Sequence, residues 1–211
     1  MGPMGGQITA LRVQRRNRNR VNVYLDGRFA FGLAAIEAAR LRVGQVLSDE
    51  DIARLRQRDT AERAAERALD LLSYRPRSEA EIRERLAERY DPETAGEVLE
   101  RLRRSGLVDD REFARYWVQN RLQHNPRGAA ALRQELYQKG VDESAIEEAL
   151  VEYDEEEAAA RAAETARRKL RGLPPDVFRR RLTDYLLRRG FPYGVVRAVV
   201  LQALADAHSD E

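Results

Sequence analysis

The apolar residues of this chain recur with helical spacing, in a pattern that repeats every 50 residues. Two large apolar residues four positions apart occur three times: Ile82 with Leu86, Leu132 with Leu136, and Leu182 with Leu186. Residues at i and i+4 lie on one face of an α-helix. A fixed period of this size predicts stacked helical units that share a continuous core and present an extended surface to a partner. The pattern therefore favours an interaction protein over an enzyme.

The flanks of each pair repeat as well. Each pair is preceded by proline, at Pro76, Pro126 and Pro175, and followed by a break in the helical pattern near residues 90–92, 140–142 and 190–192. The next helix is one residue out of step in the first unit, which a single insertion in the break explains.

Helix termini can be assigned within these units. The Ser78 hydroxyl is placed to accept from the Glu81 amide while the Glu81 carboxylate reaches back, as in a capping box. Gly140 suits a left-handed helix stop. The acidic run from Asp154 to Glu157 suits a helix N-terminus, where the helix dipole favours negative charge.

The N-terminal segment has a different period. Residues 8–13 and 21–31 alternate between apolar and polar side chains, as strands do, and Asp26-Gly27 supplies a tight turn. We predict a β-hairpin or three-stranded sheet joined by a basic loop, then a short helix near residues 33–40. Ser48 with Asp51 marks the start of one or two helices that end before Pro76.

The predicted fold is mainly α-helical: an elongated, right- or left-curved array of three tandem three-helix repeats, preceded by a small N-terminal β-hairpin region. The predicted N-terminal region and helical lead-in are residues 1–59, and a tail follows the last repeat at 207–211. The repeats are assigned to residues 60–109, 110–155 and 156–206, which predicts nine helices in the array.

Composition narrows the class of protein. The 211 residues contain no cysteine, which excludes disulfides and thiolate metal sites. No run approaches the roughly 18 consecutive apolar residues of a membrane span, and residues 1–6 lack the apolar core of a secretory signal. We expect a soluble, cytoplasmic protein that contacts no membrane and needs no cofactor.

Charge is unevenly distributed although the net charge is only +2. Residues 158–200 carry eleven Lys and Arg against three Asp and Glu, and residues 1–59 carry eleven against six. Residues 110–157 carry six against twelve. Basic ends that flank an acidic middle predict contacts with nucleic acid or an acidic partner at the ends.

No catalytic constellation is evident. The two histidines, His124 and His208, are far apart in sequence, and the phosphate-binding pattern GxxxxGK[ST] is absent. Asp109-Asp110 could be imagined as an acid/base pair, but its position favours capping of the next helix. The sequence predicts neither an enzyme nor a metal site.

A resemblance to the RecX family of recombination regulators is carried by segments 75–86 and 105–114 and by later residues of the second repeat. The later residues are Gly128, Leu132, Glu135-Leu136 and Lys139-Gly140-Val141; Val23-Tyr24-Leu25-Asp26-Gly27-Arg28-Phe29 is also similar to the family's opening. The resemblance covers the first two repeats well and is weaker in the third repeat and in the N-terminal hairpin. It implies three three-helix repeats and a protein that lies in the groove of the RecA filament. It also implies restraint of strand exchange, ATP hydrolysis and co-protease action, in recombination, DNA repair and the SOS response.

One set of arginines is predicted to bind the partner through carboxylates or phosphates, for which the planar guanidinium is well suited. This set is Arg75, Arg77, Arg111, Arg115, Arg121 and Arg127. The alternative for each is local ion pairing, with its stem covering apolar surface.

A second set is predicted to contact DNA or the filament. It comprises Arg15, Arg16, Arg18 and Arg20 in the N-terminal loop, and Arg168, Lys169, Arg179, Arg180, Arg181, Arg188 and Arg189 in the third repeat. The alternative is a solvated helix face. Trp117, with Phe113 and Tyr116, is predicted to be core and not a base-stacking platform.

The leading hypothesis is thus a monomeric regulator of the RecA filament. The alternative is a helical module that binds single- or double-stranded DNA directly.

Overall fold

The computed structural model describes residues 5–209, without the side chains of residues 207–209. The N-terminal elements are β1 (Gly6–Val13), β2 (Arg20–Leu25), β3 (Arg28–Ala34), α1 (Ala35–Ala38) and β4 (Val46–Leu47). The helices that follow are α2 (Asp49–Tyr74), α3 (Glu79–Ala87), α4 (Pro92–Arg104), α5 (Asp110–His124), α6 (Ala129–Gln138), α7 (Glu143–Leu150), α8 (Glu155–Leu170), α9 (Pro175–Arg188) and α10 (Tyr193–Ser209).

The chain forms two compact units. The first contains the described residues up to Arg75 together with Ile82–Ser105. The second contains Pro76–Glu81 and the described residues from Gly106 onward, so the first turn of α3 belongs to it.

The first unit begins with an antiparallel sheet in the order β3-β2-β1-β4. The predicted turn is confirmed, because Asp26 and Gly27 have φ angles of 48° and 80° between β2 and β3. The prediction of at most three strands was wrong, since β4 pairs with the start of β1. A two-residue strand is too short to display the alternation by which strands are recognised in sequence.

Helix α2 is one continuous helix of 26 residues. Its start is the predicted one: Ser48 and Asp51 form a capping box, and the hydrogen bonds from Ser48 lower the pKa of Asp51 to about 2. Ile52 and Leu55 pack into the sheet core, while the later part of α2 packs along α4. The boundary predicted between residues 59 and 60 falls inside this helix, which serves both the sheet and the first repeat.

The three-helix repeats are present as predicted. Within residues 5–209 they comprise α2–α4, α5–α7 and α8–α10, while α1 is the short helix predicted beside the sheet. The repeated apolar pairs are fully buried: Ile82, Leu86, Leu132, Leu136, Leu182 and Leu186 all have 0% exposure. The 50-residue period therefore records the core positions of three equivalent second helices.

The turns after the second helices explain the shift in register. Gly140 and Gly190 have φ angles of 74° and 84°, which confirms Gly140 as a left-handed stop. In both turns the next amide returns to the last core leucine, from Val141 to Leu136 and from Phe191 to Leu186. The first repeat lacks this glycine, and its turn from Leu86 to the N-cap Asp91 is one residue shorter.

The ends of the chain lie partly outside the described structure. The predicted tail begins within α10, which continues to Ser209, and residues 210–211 lie outside the described residues, as do residues 1–4. Among the helices of residues 5–209, none combines the length and apolar character needed to cross a bilayer.

Candidate interaction surfaces

A joint recurs in the second unit, where the end of one second helix meets the start of the preceding one. The Ser78 hydroxyl donates to the Lys139 carbonyl at 2.6 Å. Fifty residues later, the Gly128 amide donates to the Arg189 carbonyl at 3.0 Å. The repeat period therefore specifies this joint as well as the core.

Acidic residues complete the joint. The Glu79 amide at the start of α3 donates to Asp110 at 2.8 Å, and the Ala129 amide at the start of α6 donates to Glu155 at 2.7 Å. Burial raises the pKa of the Asp110 carboxyl above its ordinary value. Each carboxylate thus satisfies a helix amide that has no partner within its own helix. Asp109 caps α5, as predicted, by accepting from the Arg111 amide at 2.8 Å.

Trp117 is the centre of a polar network, which makes the simple prediction of a core residue incomplete. Its indole N–H donates to Glu135 at 2.8 Å, and Arg121 donates to the same carboxylate oxygen at 2.7 Å. The Arg121 guanidinium lies 4.5 Å and the Lys139 ammonium 4.3 Å from the ring centre. Two cation–π contacts therefore hold the Trp117 ring in place, although the ring is only half-buried.

The six arginines predicted to bind a partner all have intramolecular interactions. Arg121 and Arg127 both pair with Glu135, and Arg127 is 3.2 Å from it. Arg111 and Arg115 lie on the exposed surface of α5 and share Glu148, at 3.4 and 2.7 Å. Arg75 and Arg77 are half-buried, and neither is free of intramolecular interactions.

Two cations predicted to contact DNA or the filament are anchored inside their own units. Arg20 pairs with Asp59 of α2 at 2.9 Å and is only 16% exposed, while the other Asp59 oxygen accepts from the Ala34 amide at 2.7 Å. Arg189 donates to the Asn125 side chain and to the Pro126 carbonyl, and its guanidinium stacks on Tyr185. We therefore assign Arg20 and Arg189 to the scaffold.

The other third-repeat cations predicted to contact DNA or the filament are exposed. Arg168 is 81% exposed and only approaches Glu164, at 4.0 Å. Among the predicted residues in the described range, five more are exposed without an ion pair or side-chain hydrogen bond: Lys169, Arg179, Arg180, Arg181 and Arg188. Arg181 and Arg188 are seven residues apart and lie on nearly the same face of α9. We name these five residues the third-repeat basic surface.

The loop between β1 and β2 brings together a smaller basic group. Arg15, Arg16 and Arg18 are exposed, and no contact of their side chains is found within residues 5–209. We name these three residues with Asn17 the hairpin tip.

Several residues that position these surfaces were not predicted as site residues, although Glu135 and Lys139 are among those that carry the family resemblance. Asp59 and Glu135 were missed because their partners lie 39 and 14 residues away, beyond the reach of local spacing rules. Lys139 could have been found, because Arg89 and Arg189 occupy the same position in the other two repeats.

The combination of an N-terminal sheet with three joined three-helix repeats defines a class of tandem-repeat proteins, and comparison with known families places the chain within it. The model described as the regulatory protein RecX N-terminal domain matches residues 6–48. The first, second and third RecX three-helix domains match residues 64–102, 109–150 and 154–200. The chain belongs to the RecX family.

Individual relatives agree. The chain is 34% identical over 207 residues to the regulatory protein RecX of Oceanobacillus iheyensis, a match covering 93% of this chain and 76% of that protein. It is 32% identical over 201 residues to that of Bacillus subtilis, covering 92% and 76%. A crystal structure of a regulatory protein RecX matches with a TM-score of 0.73 and 31% identity, covering 92% of this chain and 98% of that one. The RecX structure from Lactobacillus salivarius, at 21% identity and a TM-score of 0.58 over 69% of this chain and 97% of that one, shares the fold.

Proposed function

We propose that this protein binds the nucleoprotein filament of the RecA recombinase and inhibits its strand-exchange, ATPase and co-protease activities. In this way it moderates recombination, DNA repair and the SOS response. The observation that carries the proposal is the match of all four RecX domains, in order, along the chain. The protein acts by binding, as a cytoplasmic monomer, without a cofactor or chemistry of its own.

The third-repeat basic surface supports contact with the filament. Its five cations lack carboxylate partners in the described residues, whereas the cations of the second repeat have carboxylate partners in the chain, as Arg133 has Glu147. Unpaired guanidinium groups attract the phosphates of filament DNA or carboxylates of filament protein, and lose no existing ion pair on binding. We assign this surface, together with Arg168, to the filament.

The exposed arginines of α5 are the second proposed contact. Arg111 and Arg115 share Glu148 at the surface, where an ion pair contributes about 1 kcal/mol or less. A carboxylate of the partner can therefore replace Glu148 at little cost. Arg121 and Arg127 act differently: they hold Glu135 and Trp117 in place and shape the surface from within, and Arg75 and Arg77 are proposed as edge contacts.

Direct binding of DNA, without the recombinase, is the second candidate function. It is favoured by the unpaired arginines towards both ends of the sequence, which suit phosphate contacts. The two functions differ in their dependence on RecA, which gives a means to separate them.

The proposal is tested by co-sedimentation with RecA filaments, using Arg179→Gln, Arg180→Gln and Arg181→Gln combined. A control variant loses the same charge through Arg28→Gln, Arg42→Gln and Arg63→Gln, three exposed residues of the first unit without side-chain pairs in the described structure. We expect the first variant to bind at least tenfold more weakly and the control to match the parent protein. Equal binding by all three proteins would exclude the third-repeat basic surface from the contact, and absence of binding by the parent protein would reject the function itself.

A further inference from the structure

The hairpin tip is held in shape by its own backbone and by one asparagine. The Asn17 side chain accepts from the Asn19 amide at 2.9 Å, and the Asn17 carbonyl accepts from the Arg20 amide at 3.1 Å. Below this turn the Gln14 amide donates to the Arg20 carbonyl at 2.9 Å. An asparagine in the first position of a turn stabilises it in this manner.

The base of the tip is fastened to the rest of the first unit. The Asn19 carbonyl accepts from the Ala35 amide at 2.7 Å, and the buried pair of Arg20 with Asp59 ties the start of β2 to α2. The loop therefore has a defined conformation before any ligand arrives. Arg15, Arg16 and Arg18 are carried on this fixed backbone.

The charge around the tip is of one sign. The segment from Gly5 to Leu25 contains five arginines and no acidic residue. Several other arginines of the first unit have carboxylate partners, as Arg54 has Asp51 and Arg101 has Glu62. The three tip arginines lie within four residues and have no such partner in the described residues, so their positive potential is not cancelled locally.

The chemistry of the tip fits a nucleic acid strand better than a protein surface. A protein interface is built around apolar or aromatic anchors, and Val13 is the large apolar residue exposed beside the tip. Phosphate contacts need only positive charge and N–H donors, and Arg and Asn supply both.

We propose that the hairpin tip is a preformed binding site for the phosphodiester backbone of DNA, in which Arg15, Arg16 and Arg18 contact phosphates and Asn17 is a positioning residue. The inference deepens the proposed function and takes its biological setting from it, since the strand in question is the DNA of the filament. It is nevertheless a property of this protein alone. It can therefore be tested without RecA.

The experiment measures binding to fluorescein-labelled oligothymidylate and to a labelled duplex by anisotropy over a range of salt concentrations. For the single strand, Arg15→Gln, Arg16→Gln and Arg18→Gln combined should lower the slope of log K against log salt by about 2, since each phosphate contact contributes about 0.7. The triple variant at Arg28, Arg42 and Arg63 controls for net charge and should keep the parent slope. The duplex arm distinguishes single-strand from double-strand phosphate as the source of the ligand.

Asn17 gives a readout that charge loss does not. Asn17→Ala should weaken binding about fivefold while the salt slope stays unchanged, because the same phosphates are contacted by a less ordered loop. Asn17→Ser, which retains a side-chain acceptor, should restore most of the affinity.

Three results would overturn the inference: no DNA binding by the parent protein, equal losses in the tip and control triples, or unchanged DNA binding in a tip triple that no longer binds RecA. The last result would identify an acidic protein surface as the partner. If the parent protein binds DNA through the tip but does not inhibit the RecA ATPase, the proposed function is rejected and the assignment of the tip is not affected.

Discussion

The Lys139 ammonium donates a 2.8 Å hydrogen bond to the Glu81 carboxylate, across 58 residues of sequence. The same ammonium lies 4.3 Å from the ring centre of Trp117. The first turn of α3, the end of α6 and the single tryptophan are thus linked through one cation.

Removal of this cation should destabilise the second unit and change the tryptophan signal. Lys139→Met is expected to lower the free energy of unfolding by about 1–2 kcal/mol, because both partners are about four-fifths buried and Glu81 loses a charged partner. It should also shift the Trp117 emission maximum. Urea titration followed by tryptophan fluorescence measures both effects.

Arg85→Gln is the matched control, since Arg85 and Glu88 are both about half-exposed. Its effect should stay below about 0.5 kcal/mol. An Lys139→Met variant as stable as this control, with unshifted emission, would contradict the role given to Lys139.

Gly140 should be more sensitive to substitution than a glycine with a similar φ angle elsewhere. Its φ is 74°, and an added β-carbon would overlap that of Ala80. Gly140→Ala should therefore cost about 1–3 kcal/mol more than Gly172→Ala, whose φ is 78° but which has open space around it. Thermal unfolding of the two variants measures the difference. Equal losses would show that backbone strain alone decides the cost.

Asp110 should make unfolding depend on pH in a specific direction. Burial raises its pKa above the ordinary 3.8, and neighbouring carboxylates, led by Glu79, act in the same direction. Between 3.8 and the raised value the folded state binds more protons than the unfolded state, so stability falls as pH rises through that window. Asp110→Asn keeps an acceptor for the Glu79 amide and should abolish this decline in urea titrations.

Asp142 provides the control of opposite sign. Hydrogen bonds from Ser144 and the Ala145 amide lower its pKa, so its contribution is present above 3.8 and is lost as pH falls through the lowered value. Asp142→Asn should flatten the acid limb of the stability curve and narrow the Asp110 window without abolishing it, because burial is the largest cause of the Asp110 shift and the Asp142 carboxylate only adds to it. Identical pH profiles for both variants and the parent would refute these assignments.

Arg20 should affect stability, whereas its neighbour Arg18 should not. Arg20→Gln leaves Asp59 without its charged partner in a largely buried position, and a loss of about 2–3 kcal/mol is expected. Arg18→Gln removes an exposed side chain and should change stability by less than about 0.5 kcal/mol. Differential scanning calorimetry of both variants separates scaffold from surface.

Much of the helical architecture could be predicted from sequence, because its signals are local. The pairs at 82, 132 and 182 mark core positions through helical periodicity, and Ser48, Asp109 and Gly140 mark helix ends through hydrogen bonding and backbone conformation. The strand β4 could not be found, since two residues carry no period.

The candidate surfaces were less predictable, because the sequence does not show whether an arginine is paired or free. Arg121 is paired because Glu135, 14 residues away in sequence, accepts its hydrogen bond in the fold. Arg18 is unpaired within the described residues, and the sequence around the tip contains no acidic residue. Only the folded chain shows which cations form an ion pair with a carboxylate. The structure thus divides the predicted basic residues into scaffold, such as Arg20 and Arg189, and surface, such as Arg16 and Arg181.

The most direct test of the proposed function is a titration of DNA-dependent ATP hydrolysis by a cognate RecA with this protein. We predict progressive inhibition that is substantial at or below equimolar protein and weaker for the Arg179, Arg180 and Arg181 triple variant. The control triple at Arg28, Arg42 and Arg63 should inhibit like the parent protein. An ATPase rate unchanged at near-equimolar protein would contradict regulation of the RecA filament.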